Sequence, residues 1–210
     1  MRKVTLVMLG LSVPLLAGPS GDVAKGWFFN CGVRGDQPCA AVGTYRGALD
    51  RDVVYHGAAS VSVTSESSKA RQFGGVHQMI GAADYRGKRV RYSAQVRTEN
   101  VTDWAGLWLR ADDGDGRVLA FDNMETSHRG LRGTREWSRQ EVVLDIPQEA
   151  NAIRFGLVLS GAGKAWLDDV HVDIVAPDVP VTLKRLDWGA RNVPVPADRL
   201  QPPRNLDFED

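Results

Sequence analysis

The amino-acid sequence predicts an all-β fold, an antiparallel sandwich in which two sheets enclose one apolar core. Segments that alternate apolar and polar residues recur about every ten to fifteen residues, as the strands of a sandwich do. Glycine, aspartate and asparagine separate these segments and are typical of tight turns. Helical periodicity is almost absent, which disfavours a parallel sheet flanked by helices.

The alternation is clearest in residues 89–98, where every second residue is apolar and faces the predicted core: Val90, Tyr92, Ala94 and Val96. In residues 105–111 the same pattern turns Leu107 and Leu109 inward, and residues 112–116 (DDGDG) are predicted to form a hairpin turn. The remaining predicted strands are residues 58–64, 117–124, 141–145, 153–160 and 165–175.

The charge balance argues against a nucleic-acid partner, because 26 lysines and arginines are matched by 26 aspartates and glutamates. Residues 1–20 are predicted to be a signal peptide, in which a basic start precedes an apolar run, residues 4–16, and the small Ala17. The alternative is an uncleaved membrane anchor, but a run of this length rises only ~20 Å and a bilayer core is ~30 Å thick. The mature protein is therefore expected in the periplasm or outside the cell.

The chain has two cysteines, Cys31 and Cys39, in a segment that also contains Gly32, Gly35 and Pro38. In an oxidising compartment, two such thiols are expected to form a disulfide that holds a loop. The pair alone offers too few ligands for a structural metal. Its spacing is also wider than the C-x-x-C of redox enzymes.

The composition changes after the last predicted strand. Residues 176–204 contain six of the ten prolines, which indicates an extended linker or arm rather than a second core. The sandwich domain is therefore predicted to be residues 26–175. A short motif, residues 205–210 (NLDFED), follows the arm.

Three segments resemble carbohydrate-binding modules of the galactose-binding-like jelly-roll group: residues 56–63 (HGAASVSV), 85–94 (YRGKRVRYSA) and 166–170 (WLDDV). The resemblance implies a jelly-roll β-sandwich that binds carbohydrate without catalysing a reaction. Some proteins that share a closer pattern, with residues 104–108 (WAGLW) and 121–124 (FDNM), are labelled transcriptional regulators.

In that group the first strand carries an N-x-x-F-E motif, whereas this chain has the motif at residues 205–209. The resemblance therefore implies that residues 205–210 form a closing strand in place of the first one, as in a circular permutation. The arm reaches far enough, because it spans up to ~90 Å when extended and a globule of this size is ~40 Å across. Two alternatives stay open: the motif begins a further repeat, or it adds a strand to another molecule.

Many modules of this group hold a structural calcium between the glutamate of the opening strand and an aspartate of the closing strand. The resemblance assigns these roles to Glu209 and Asp168, with a backbone carbonyl near Gly57 or Ala58, and oxygen ligands suit a hard cation. In the alternative, no metal is present and Asp168 accepts hydrogen bonds from backbone amides at the end of a sheet. No other cofactor is expected.

The predicted sugar site is a single sheet surface. Aromatic faces pack on pyranose C–H groups, and amides and guanidinium groups bond sugar hydroxyls. Side chains of these kinds project to one side of three predicted strands: Trp108, Arg110, Gln95, Arg97, Phe121 and Asn123. If the strands adjoin, these residues form one ligand-binding surface; alternatively, Trp108 packs under a loop and the arginines form surface ion pairs. Trp27, Trp137 and Trp166 are assigned to the core.

The sequence offers no catalytic centre. The four histidines are dispersed without an H-E-x-x-H pattern, and no G-x-S-x-G nucleophile motif occurs. Asp168 and Asp169 point to opposite faces of a strand, so they cannot act as facing carboxylates. We therefore expect a non-catalytic exported domain that binds a glycan. The alternative is an envelope domain that binds a protein through its arm or an edge strand; no helix-turn-helix pattern supports a DNA-binding regulator.

Overall fold

The computed structural model describes residues 22–32, 45–183, 194 and 200–210 of the chain. These residues form ten strands and one 3₁₀ turn, Ala83–Tyr85, and no α-helix. In chain order the strands are β1 Asp22–Ala24, β2 Trp27–Gly32, β3 Tyr45–Asp50, β4 Ser60–Ser65, β5 Phe73–Gly81, β6 Arg89–Asp112, β7 Val118–Asn123, β8 Leu131–Asp145, β9 Ala152–Ser160 and β10 Lys164–Val175. The prediction of an all-β fold is confirmed.

Two sheets are built around one long strand, β6, whose two halves belong to different sheets. Residues 104–112 of β6 pair with β9 and β7, and the sheet continues from β9 through β5 and β2 to β1. We call this the front sheet. Residues 89–99 of β6 pair with β10 and β8, and the sheet continues from β10 through β4 to β3. This is the back sheet, and all of these pairs are antiparallel, as the predicted jelly-roll sandwich requires.

The sequence divides β6 into two strands, residues 89–98 and 105–111, and this division is wrong. The ladder with β8 continues between them through several shifts in register, and Asn100 has a φ of 52°. Such irregularities bend a strand and increase its twist. The bend allows β6 to leave the back sheet and enter the front sheet without a turn.

The apolar core lies between the two sheets and contains the residues that the alternation turns inward. Val90 and Tyr92 from the back sheet are fully buried, as are Leu107 and Leu109 from the front sheet. Strands β1, β2, β3 and β5 complete the sandwich, although their sequences show no clear alternation and do not predict them.

The three tryptophans assigned to the core have different environments. Trp27 is fully buried within the core. Trp166 is only 2% exposed, but it alternates with the core residues of β10 and lies on the outer face of the back sheet. There its indole N–H donates to Asp50 Oδ2 at 2.8 Å. Trp137 is partly exposed, with its ring centroid 5.9 Å from that of Tyr55, so its assignment to the core is wrong.

Residues 205–210 return to the sandwich but do not form a strand. Phe208 enters the core, where it is 1% exposed and its ring centroid lies 5.0 Å from that of Trp27. Trp27 Nε1 donates to the carbonyl of Asn205 at 2.9 Å. Asn205 and Phe208 have φ values of 47° and 60°, which an extended strand excludes. The predicted closing strand is therefore corrected to a closing bend.

The described parts of the arm lie against the sandwich. After β10, the amide of Thr182 donates to the carbonyl of Val143 on β8 at 3.0 Å. Further along, the Gln78 side chain on β5 donates to the Arg204 carbonyl at 2.8 Å and accepts from the Arg204 amide at 2.9 Å. These contacts bring residues 205–210 to the core.

Some predictions fall outside the described residues. These are the signal peptide, residues 1–20, and Cys39, so the disulfide between Cys39 and Cys31 stays a prediction. The first described strand begins at Asp22 rather than at residue 26, and the last ends at Val175. In the part of the chain that the structure describes, no helix has the length and apolarity needed to cross a membrane.

We expect Phe208→Ala to lower the free energy of unfolding by ~3–5 kcal/mol, because it leaves a cavity beside Trp27. Chemical denaturation of the purified protein measures this change. Asp207→Ala is the matched control, since Asp207 is exposed and its loss is expected to cost less than ~0.5 kcal/mol. Equal stability of the two variants would show that the closing bend does not support the core.

Candidate functional site

A groove with a volume of about 490 Å³ crosses the outer face of the front sheet. The even-numbered residues of this half of β6 face the groove because they alternate with the core residues Leu107 and Leu109. Strands β2, β5, β9, β6 and β7 contribute its lining residues, which are Asn30, Phe73, Gly75, Trp104, Trp108, Arg110, Phe121, Asn123, Val158 and Ser160.

Cross-strand pairing arranges these side chains in rows across the sheet. One row contains Gly75 on β5 and Val158 on β9, which line the groove, and it continues on β6 to Gly106, where the Met124 side chain covers the sheet. The neighbouring row on one side contains Phe73 and Trp104, and the row on the other side contains Trp108. These two aromatic rows are ~13 Å apart, because four residues of strand separate them. The groove is therefore a trough with a floor of small residues and aromatic walls.

The wall at Trp108 extends across β9 because Gly156 stands between Trp108 and His77. A Cβ atom at Gly156 would lie 2.0 Å from the carbonyl oxygen of Val76, so the backbones approach too closely for any side chain. Without one, the imidazole of His77 lies with its centroid 5.9 Å from that of the Trp108 indole. The ring of Phe28 continues the row at 6.1 Å from His77.

Polar side chains stand at two places along the trough. Asn123 pairs with Trp108 across β6 and β7, and its Oδ1 accepts the amide of Thr126 at 2.7 Å. At the other aromatic wall, Ser160 Oγ donates to Asp103 Oδ2 at 2.7 Å. Amide and hydroxyl groups in such positions can bond the hydroxyls of a sugar.

Two arginines and one aspartate meet at the Trp108 side of the groove. Arg110 and Arg154 lie directly opposite each other on β6 and β9, where like charges repel. Both approach the carboxylate of Asp112, which is 2% exposed: Arg110 Nη2 donates to Oδ2 at 3.1 Å, and Arg154 Nε lies 3.5 Å from the same oxygen. Burial raises the pKa of Asp112, and the two arginines oppose that shift. One carboxylate thus serves two guanidinium groups.

His77 is next to this cluster and carries no charge at neutral pH. Its Nδ1 is buried and has no hydrogen-bond partner among the described residues. Burial, together with the charges of Arg154 and Arg110, lowers the pKa of His77 to about 4. The imidazole therefore acts as part of the aromatic wall.

The six predicted ligand-binding residues do not share one surface. The groove brings together four of them: Trp108, Arg110, Phe121 and Asn123. The inclusion of Gln95 and Arg97 is wrong, because the bend in β6 places them on the outer face of the back sheet. There the guanidinium carbon of Arg97 lies 5.4 Å from the ring centroid of Trp166, and its Nε lies 3.5 Å from Glu136. Arg97 thus forms the surface ion pair of the alternative interpretation.

The groove also contains residues that the sequence reasoning missed. Trp104 carries a signal that would have revealed it, since it stands at an even position of β6, like Trp108 and Arg110. Asn30 and Phe73 give no such signal. Asn30 lies on the short strand β2, and Phe73 lies on β5, whose glycines hide the alternation.

The two predicted calcium ligands, Asp168 and Glu209, reach the same loop but face backbone N–H groups. Asp168 Oδ2 accepts from the amides of Tyr55 and His56 at 2.8 and 3.1 Å. Glu209 Oε1 accepts from the amide of Ala58 at 2.7 Å. We call this arrangement the carboxylate clamp.

The carboxylate clamp does not suit a cation at Asp168 Oδ2 or Glu209 Oε1, because each backbone N–H presents its positive end where the cation would lie. Gly57 allows the close approach: it has a φ of 75°, and a Cβ atom there would lie 2.1 Å from Glu209 Oε1. Burial raises the pKa of Asp168, and its amide hydrogen bonds oppose the shift. Among the described residues, no group of three or more histidine, cysteine, aspartate or glutamate side chains could hold a metal ion.

The fold is that of the jelly-roll carbohydrate-binding modules, as comparison with solved structures shows. The CBM22-1 xylan-binding domain of Xyn10C from Paenibacillus barcinonensis superposes with a TM-score of 0.50 at 13% identity, over 74% of this chain and 90% of that domain. The enzymatically active domain of tailspike protein 4 from bacteriophage CBA120 superposes with a TM-score of 0.56 at 11% identity, over 76% of this chain and 21% of that one. At these identities the likeness concerns the fold alone.

In sequence, the chain is 37% identical over 163 residues to YbfP of Bacillus subtilis strain 168, which is described as an uncharacterized HTH-type transcriptional regulator. The match covers 77% of this chain and 52% of that protein, so the chain spans about half the length of this relative. No family model matches the chain. The residues that the structure describes contain no α-helix, and therefore no helix-turn-helix.

We expect the stability of the protein to fall between pH 6.5 and about 4 partly because of His77. The pKa of His77 is lower in the folded state than in the unfolded chain, so the unfolded chain binds the proton first as the pH falls. His77→Gln removes this contribution, and its free energy of unfolding should depend less on pH than that of the wild type. His56→Gln is the control, because His56 is exposed. Identical pH profiles for all three proteins would contradict the buried, neutral imidazole.

We expect Asp168→Asn to lower the free energy of unfolding by ~1–3 kcal/mol, because an amide NH₂ replaces an oxygen that accepts backbone N–H groups. Asp169→Asn serves as the control, since Asp169 is more exposed and asparagine tolerates its φ of 49°. A calcium chelator should leave the melting temperature of the wild type unchanged. A melting temperature that falls when chelator is added would instead support the calcium site that the sequence resemblance implies.

Proposed function

We propose that the groove of the front sheet binds a carbohydrate chain and that the domain is a non-catalytic, exported glycan-binding module. The observation that carries the proposal is the trough itself, in which a floor of small residues lies between the walls of Trp104 and Trp108. The partly exposed indole of Trp108 offers apolar surface to the C–H groups of sugar rings, and Trp104, which is 6% exposed, borders the other side.

The direction of the trough favours an extended ligand. It crosses the strands from β2 to β7 and is open along the sheet surface, so a chain of several sugar units can lie across it. Asn123 and Ser160 supply polar groups on opposite walls, where hydroxyls of such a chain would find partners. The solved CBM22-1 domain with the same fold is named as xylan-binding, which makes xylan the first polysaccharide to test.

The side chains of the groove support binding rather than glycoside hydrolysis. Hydrolysis generally needs two carboxylates on either side of the scissile bond. Among the described residues that line the groove there is no aspartate or glutamate. Of the carboxylates nearby, Asp112 is held by two arginines and Asp103 accepts from Ser160.

We expect Trp108→Ala to weaken glycan binding about tenfold or more, because it removes the largest aromatic surface of one wall. A glycan array followed by calorimetry with the polysaccharide it identifies, or with xylan, measures the effect. Tyr55→Ala is the matched control: Tyr55 is an aromatic residue that is 48% exposed and belongs to the back sheet surface.

Sugar binding that survives Trp108→Ala in a folded protein would show that the groove is not the site. A wild-type protein that binds no glycan on the array would favour the second class of function, an envelope domain that binds a protein. Binding that is lost in Tyr55→Ala but kept in Trp108→Ala would place the ligand on the back sheet instead.

A further inference from the structure

Positive charge is concentrated beside the Trp108 wall of the groove. Arg110 and Arg154 share the single carboxylate of Asp112, so the cluster has one more positive group than negative. The next acidic residue along the chain, Asp113, is paired with Arg117, whose Nε lies 3.3 Å from Asp113 Oδ2. The Nδ1 atom of His77, the other titratable neighbour, is buried and has no hydrogen-bond partner among the described residues. The excess charge therefore has no anion within the described part of the protein.

The two arginines that carry this excess charge are largely shielded from solvent. The side chains of Arg110 and Arg154 are 14% and 15% exposed. Two like charges that face each other across neighbouring strands destabilise a sheet, and one apolar residue in the place of Arg154 would remove the repulsion. Partial burial also strengthens the attraction to an incoming anion, because water screens the charges less there.

The cluster is continuous with the sugar groove. Arg110 lines the groove together with Phe121, which is its direct partner on β7. The guanidinium carbon of Arg110 lies 5.9 Å from the ring centroid of Trp108. A sugar ring that packs on Trp108 thus brings its substituents next to Arg110. At the opposite wall the nearby charge is negative, since Asp103 accepts from Ser160.

We propose that Arg110 and Arg154, beside the Trp108 wall of the groove, bind the carboxylate of an acidic sugar, so that the preferred ligand is a glycan that contains uronic acid. This inference rests on the proposed glycan-binding function and adds the ligand class to it. Guanidinium groups bond carboxylates through charge-assisted, often paired, hydrogen bonds, which a neutral hydroxymethyl group cannot replace.

The test compares one glycan in two chemical forms. A uronic-acid-bearing oligosaccharide, for example a xylo-oligosaccharide with a glucuronic acid branch, is measured by calorimetry before and after its carboxyl group is reduced to an alcohol. We expect the acidic form to bind about tenfold more tightly. We also expect its affinity, but not that of the reduced form, to fall as NaCl is raised from about 50 to about 500 mM.

Variants connect this preference to the cluster. Arg154→Gln should abolish the preference for the acidic form while leaving the affinity for the reduced form nearly unchanged, and Arg154→Lys should retain part of it. Arg51→Gln removes the same charge from the exposed surface and should change neither affinity. Melting curves establish that each variant is folded, and Arg154→Gln is expected to fold because Arg110 and Asp112 remain paired.

The outcomes separate this inference from the proposed function. Equal affinity for the acidic and reduced forms in the wild type would overturn the preference for uronic acid and leave glycan binding intact. A preference that persists in Arg154→Gln would place the carboxylate elsewhere and overturn the assignment. Absence of binding to any glycan would overturn both.

Discussion

The pairing of β6 with both sheets is the constraint on which the rest of this structure depends. Backbone N–H and C=O groups that leave water must find partners. β6 satisfies them with β10 and β8 along its first half and with β9 and β7 along its second half. The two sheets are therefore fixed relative to each other by a shared strand, and not only by packing of their side chains. The position of the groove follows from the point at which β6 joins the front sheet.

The parts of the fold that could be predicted from sequence are those in which burial alternates cleanly. Residues 153–160 and 165–175 fall on β9 and β10 nearly as expected, because their apolar residues enter one core from one face. The pattern fails for β5, whose three glycines remove side chains from the alternation. It also fails at the junction within β6, since a bulge shifts the register without leaving a turn signal in the sequence.

In the candidate site, too, the sequence predicts some residues and not others. Trp108 and Arg110 could be placed on an outer face because they alternate with Leu107 and Leu109 on a single strand. Which strands lie beside them is decided by pairing between distant segments, and single-sequence patterns do not contain that information. The sequence pattern therefore predicts Gln95 on the wrong sheet, and it gives no indication that Phe73 lies opposite Ser160.

The closing bend has a consequence for how the chain reaches its native state. Trp27 and Asn205, which share a hydrogen bond, are 178 residues apart, and Phe208 fills the adjacent part of the core. A nascent chain that has emerged only as far as β10 lacks this aromatic ring, so it exposes Trp27 until synthesis has passed residue 208. Contacts of such long sequence separation also slow folding, because the whole loop must be ordered before they form. The core of the sandwich is therefore complete only once residues 205–210 have docked beside Trp27.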